Sequence, residues 1–170
     1  MSAVFKKITL AVSFLLLFLL ANPVWAQDYK TGIGIRGGPG YGLTIKQFVG
    51  PQAAIEGILS PLWGGFLFTG LYEKHARLFN AKGLNYYGGI GGHAGYWNYE
   101  NNYKSNNPWF DRHEKVVIGG IDLILGLEYT FSFIPFTAAV DWKPMLNLIN
   151  DGSLWFDDVA FSLRFVPGHL

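Results

Sequence analysis

Four histidines and one polar stretch carry the residue types from which chemistry is usually built. His75 and His93 fall in neighbouring extended segments, close to Glu73 and Asn85, an arrangement open to a metal pair or an acid–base couple. A metal site needs a third or fourth ligand, and none can be named here. Buried polar groups are ordinarily hydrogen-bonded, so both rings are expected to be satisfied members of a polar interior. His169 falls in an expected tail. His113 shares a polar stretch with Ser105, Asp111 and Glu114, the types of a nucleophile, a base and an orienting acid. Their spacing matches no nucleophile elbow, and G-x-S-x-G is absent. Such sets arise by chance in polar loops, so no residue is assigned a catalytic, cofactor-binding or metal role.

The same stretch interleaves Asn98, Asn101, Asn102, Asn106 and Asn107 with Tyr99, Tyr103 and Trp109. Amides beside aromatic rings suit contact with carbohydrate or protein, although a solvated loop has the same composition. Tyr99, Tyr103, Trp109 and, in a second loop, Trp155 are the candidate binding residues for an external ligand of unspecified chemistry. Gly32-x-Gly34 and Gly37-Gly38-x-Gly40 match no phosphate loop, because no helix follows them. They read as a turn.

Strands must position these residues. Odd positions from Val117 read Val117, Gly119, Ile121, Leu123, Leu125, Leu127, Tyr129 and Phe131, while Asp122, Glu128 and small residues hold even ones. A period of two marks a strand with one apolar face. Similar segments between Gly, Pro and Asn punctuation predict eight strands: 29–36, 42–48, 52–60, 66–77, 84–97, 116–131, 136–148 and 159–166. Connections 37–41, 61–65, 98–115 and 150–158 would lie on one side and include the two long polar loops. Those on the other side, 49–51, 78–83 and 132–135, are short.

Residues 1–26 read as a secretory signal peptide, leaving 27–170 as a single domain. Lys6 and Lys7 form its basic start, Ile8 to Leu20 its apolar run, and Val24-Trp25-Ala26 its cleavage site. The chain has no cysteine, which excludes a disulfide scaffold, a thiolate metal site and a lipoprotein anchor. Without Lys6 and Lys7 the formal charge of +1 becomes slightly negative, and nothing points to a nucleic acid. All 22 glycines follow residue 26, and aromatic residues, at 17%, outnumber charged ones, at 15%. That balance suits an outer surface in lipid rather than water.

Lipid cannot satisfy a sheet edge, so a spanning sheet must close on itself. The expected fold class is all-β, an eight-stranded antiparallel transmembrane up-and-down β-barrel. Eight strands leave an interior that side chains fill. Alternation turns Arg36, Lys46, Arg77, Lys143 and Arg164 inward with Glu56, Glu73, Asp122, Glu128 and Asp141, as many cations as carboxylates. Buried charge is costly unless paired, so this equality predicts an ion-pair network plugging the lumen. The outward set runs from Ile33, Ile35 and Leu43 through Phe66, Phe68 and Ile90 to Val140, Phe161 and Leu163. Two aromatic girdles are expected at the interfaces. Phe48, Tyr86, Tyr129, Phe131, Phe136 and Phe165 would form the periplasmic one, and Tyr41, Trp63, Tyr96 and Trp97 the external one. Lys74 faces outward near the periplasmic end, where it can snorkel. Pro144 predicts a bulge or an early end in the seventh strand.

With these features the chain resembles the small outer-membrane β-barrel proteins, whose best-known members are outer membrane proteins A and X. Its leader, alternating strands, aromatic ends and closing Phe161-Ser162-Leu163-Arg164-Phe165 carry the resemblance. Gly70-Leu71-Tyr72-Glu73, Gly126-Leu127-Glu128-Tyr129 and Asp141-Trp142-Lys143-Pro144 resemble segments of small barrels from Bacteroidota-type bacteria. Many such proteins end on an aromatic residue, whereas Val-Pro-Gly-His-Leu follows Phe165 here. The resemblance implies a bacterial outer-membrane location, contact with its lipid and insertion by the barrel-assembly machinery. It implies no catalytic residue. The expected protein is a monomer with a structural, adhesive or surface-binding role through its external loops and no open pore. One alternative is a lipid-modifying enzyme, acyltransferase or deacylase-like, as some barrels of this size are. The other is a soluble periplasmic lipocalin-like barrel with its apolar face inward around a ligand.

Overall fold

The computed structural model describes residues 28–62, 65–79, 81–97, 116–149 and 153–167. The expected leader, Trp63, His169 and the loop carrying Tyr99, Tyr103, Ser105, Trp109, Asp111, His113 and Glu114 lie outside the described residues. The strands are β1 (Thr31–Gly37), β2 (Gly42–Phe48), β3 (Ala53–Leu62), β4 (Gly65–Arg77), β5 (Leu84–Trp97) and β6 (Val116–Thr130). They are followed by β7 (Phe136–Trp142), β8 (Met145–Asn147), β9 (Leu154–Trp155) and β10 (Val159–Phe165).

From β1 to β6 each strand pairs antiparallel with the next. β7 and β8 both pair with β6, β10 pairs with β7, and β9 with β8. Pairing of β1 with β10, through Ile33 opposite Phe165 and Ile35 opposite Leu163, closes the ring. β7 and β8 are therefore two halves of one wall strand, and β9 and β10 of the next. The wall is a closed eight-stranded up-and-down barrel, as the alternation predicts, with no helix among the described residues.

The break in the seventh wall strand falls at Lys143-Pro144, where proline has no N–H to donate. Its register on β6 is undisturbed: Leu125 opposes Trp142, Asp122 opposes Met145, and Leu123 N donates to Pro144 O at 3.0 Å. The bulge appears in the partner strand instead. Trp142 opposes Val159 and Met145 opposes Trp155, so Lys143 and Pro144 stand against Phe156, Asp157 and Asp158. An extra residue of this kind bends a strand and re-aims a side chain; here Asp158 turns into the lumen, fully buried.

Burial follows the period of two. β10 alternates exposed and buried without exception, with Val159, Phe161, Leu163 and Phe165 outside and Ala160, Ser162 and Arg164 inside. Ile33, Ile35, Leu43, Phe66, Phe68 and Ile90 are exposed on the outer wall. A lipocalin-like barrel needs the opposite polarity, so that alternative is overturned. One girdle assignment is also corrected: Phe48 points inward, packed with Tyr29, Ala54 and Val166 in an apolar cap at the end carrying the described termini. Tyr129, Phe131, Phe136 and Phe165 do cluster at that end, with Phe131 5.0 Å from Tyr129 and Phe136 5.6 Å from Phe165. Inside, the Tyr87 ring packs against Gly126, where an added Cβ would stand 2.5 Å from it. Only glycine leaves room for that ring.

Candidate functional site: the charged lumen

Two clusters of paired charge lie inside the barrel. Nearer the terminal end, Lys46 on β2 sits directly opposite Glu56 on β3, and the lumen brings Glu73 and Glu128 from β4 and β6 to the same ammonium group. Lys46 Nζ lies 2.7 Å from Glu73, 3.0 Å from Glu56 and 3.6 Å from Glu128. Arg164 from β10 pairs with Glu56 and, through Nη1, with Glu128 at 3.2 Å. Thr44 donates its hydroxyl to Glu56 and accepts from Arg164 Nε at 3.2 Å. Tyr29, just before β1, donates to Glu128 at 3.1 Å. All five charged side chains are fully buried.

Nearer the loop end, Arg36 on β1 pairs with Asp141 and, at 3.2 Å, with Asp158. Lys143 reaches Asp158 at 3.1 Å and Asp122 at 3.4 Å. His93 Nδ1 is 2.8 Å from Asp122, and its Nε2 is 2.7 Å from Asn147 Oδ1. Tyr87 links the clusters. Its hydroxyl donates to Asp141 at 3.2 Å, its ring lies 4.0 Å beneath Lys46 Nζ, and it stacks on His75 at 4.9 Å. Each cluster thus holds two cations, three carboxylates and one histidine against a carboxylate, since His75 Nε2 lies 3.0 Å from Glu73. A buried charge is tolerated only with such partners, and strands on opposite sides of the ring supply them.

Nine of the ten charges assigned to the lumen by alternation meet in these clusters. Arg77 does not. It stands at the terminal rim, partly exposed, 3.5 Å from Asp28. The two histidines do not meet either, because His75 opposes Tyr87 while His93 opposes Thr69. Among the described residues no three His, Asp or Glu side chains gather as a metal site would require. Trp155, expected in a loop, lies in β9 opposite Met145 and is half-buried. Sequence reasoning missed Asp158, Asn147 and the bridging Tyr87. For Asp158 a signal existed: it shares parity with Ala160, Ser162 and Arg164.

A closed wall of eight antiparallel strands, apolar outside and charged within, defines a class: the small outer-membrane-type β-barrel. No family model matches the chain, and no curated protein matches it. Among solved structures it is similar to the N-terminal β-barrel domain of Pseudomonas aeruginosa OprF, with a TM-score of 0.58 and 16% sequence identity. The superposition covers 79% of this chain and 93% of that one. At such identity the likeness is one of fold.

Proposed function

We propose that the chain is an integral outer-membrane protein whose barrel is a rigid, non-conducting support for external loops with a structural, adhesive or surface-binding role. The observation that carries this reading is the reversed polarity of the wall. Lys46, Glu56, Glu73 and Arg164 are wholly buried, while Ile33, Ile35, Leu43 and Phe66 stand more than 45% exposed on the outside. Such a molecule would expose its apolar wall to water if it were soluble, and large apolar patches are rare on soluble monomers. In lipid the same wall is solvated, and the closed ring satisfies every strand edge. An eight-stranded barrel is narrow enough for side chains to fill it, and the buried, paired charges of its interior support a lumen that does not conduct. On this reading no residue of the lumen is catalytic.

The test is fractionation followed by electrophoresis with and without heating in detergent. A membrane-bound species whose mobility shifts on heating is expected. A soluble species without a shift would overturn the reading, and a steady large conductance in planar bilayers would overturn its non-conducting part.

A further inference from the structure

The three described hairpin tips at the terminal end are apolar where water-facing turns are ordinarily polar. Val49 in the β2–β3 turn is 55% exposed, Phe79 in the β4–β5 turn 89%, and Phe133 in the β6–β7 turn 72%, with Ile134 exposed beside it. Phe79 also has φ +50°, the one positive φ among the described non-glycine residues. A bulky side chain seldom adopts that conformation, and residues held in such conformations cluster at functional sites. The conformation directs an aromatic ring away from the barrel.

Charge is segregated at the same end. Lys30, Lys74 and Lys82 are exposed there. Of the described carboxylates of that end, Glu73 is engaged inward with Lys46 and His75 and Glu128 with Arg164 and Tyr29, while Asp28 is bound at the rim by Asn85 and Arg77. Lys74 projects outward on β4 beside Gly88, which has no side chain to crowd it. Lys30 and Lys74 flank the β2–β3 turn that carries Val49, through the Phe48 N to Lys30 O bond and the Ala53–Lys74 pair. Apolar tips beside exposed lysines match one surface chemistry, a leaflet whose acyl boundary takes the rings and whose anionic headgroups take the ammonium groups.

We propose that the terminal-end hairpins are immersed in a lipid leaflet and that Lys30, Lys74 and Lys82 select anionic phospholipid headgroups there. This rests on the membrane reading above and adds both a depth and a lipid preference to it. Lys74 reaches the phosphates from the outer wall, and Lys30 and Lys82 reach them from the rim, while the tips lie beneath the water boundary.

Because the chain has no cysteine, a single label can report each tip. Phe133→Cys keeps Phe79, and Phe79→Cys serves as a second site. Each would carry a bimane label in the full-length protein refolded into vesicles of phosphatidylcholine mixed with phosphatidylglycerol. Brominated versions of each lipid, and aqueous iodide, are the quenchers, and heat-modifiable mobility is read on every sample. The expected result is protection from iodide and stronger quenching by brominated phosphatidylglycerol than by brominated phosphatidylcholine. In the Lys30→Gln, Lys74→Gln, Lys82→Gln background that preference falls by roughly tenfold or more, with mobility unchanged. Labels open to iodide would place the tips in water, available to a soluble partner, and would overturn the inference. So would equal quenching by the two lipids. In both cases retained membrane binding and heat-modifiability leave the barrel reading standing, whereas their loss overturns both.

Discussion

Arg164 and Arg77 belong to the same barrel and to different energetic regimes. Arg164→Ala leaves Glu56 and Glu128 buried with only Lys46 to neutralise them. Breaking a buried pair from one side costs about 3–5 kcal/mol, so the variant is expected to unfold at markedly lower urea in detergent micelles. Arg77→Ala removes a pair 3.5 Å long whose side chains are 24% and 16% exposed. Its loss is expected to stay within about 1 kcal/mol. Equal losses for the two would contradict the clusters as the seat of stability. A glycine pair makes a second contrast without charge. An alanine Cβ at Gly126 would press on the Tyr87 ring, which the His75 stack and the Asp141 bond hold in place. Overpacking of that kind costs about 1–3 kcal/mol. At Gly57 the same methyl meets Ile45 at 3.4 Å and Phe68 at 3.9 Å, ordinary contact on the outer wall. Gly57→Ala should therefore leave the urea midpoint unchanged or slightly raised.

At the scale of elements, the bulge between β9 and β10 does more than interrupt a ladder. It aims Asp158 at the β1–β2 turn, where Oδ1 accepts from Gly40 N at 3.2 Å while Arg36 and Ser60 donate to Gly40 O. The turn is thereby drawn into the mouth, and Gly40 is buried. Asp158→Ala removes a charged acceptor, and such bonds contribute about 1.5–3 kcal/mol. Amide exchange at Gly40 should accelerate by roughly ten- to a hundredfold, with little change at Ile45 in the adjoining ladder. Uniform acceleration across β2 would show instead that Asp158 supports the whole sheet. The wall strands themselves were legible because a wall between two phases imposes strict alternation. β10 and β6 display it openly. Phe48 was misplaced because an aromatic ring suits either a girdle or an inner cap, and parity, which turned it inward with Lys46, was outweighed by type. Asp158 was hidden by a polar stretch that looked like loop. A bulge opposite proline is a pairwise event, visible only when the register of two strands is known. Which cation meets which carboxylate is likewise set by ring closure, because Arg164 and Glu56 come from strands far apart in sequence.

For the molecule as a whole, the proposed function separates fold from biological role along the barrel axis. The closed wall, both charge clusters and the apolar cap are built from residues 28–62, 65–79, 81–97, 116–149 and 153–167. The candidate loop residues Tyr99, Tyr103 and Trp109 lie outside them. Trp97 and Val116 are opposite partners at the end of the β5–β6 ladder, so a two-residue Asn-Gly turn is long enough to join the strands there. Replacing residues 98–115 with that turn keeps every residue of the two described charge clusters and of the described pairings of the wall. The shortened chain is expected to keep its heat-modifiable mobility and to unfold within about 1 kcal/mol of the parent, since loop length changes closure entropy only slowly. Cells carrying it in place of the parent should lose whatever surface binding the loop confers, measured as retention on immobilised polysaccharide or protein ligands. A shortened chain that no longer folds would tie the loop to the barrel's own stability. Retained binding would move the site to the remaining rim, where Trp155 on β9, Tyr41 beside β2 and Tyr96 at the end of β5 are among the aromatic residues left to carry it.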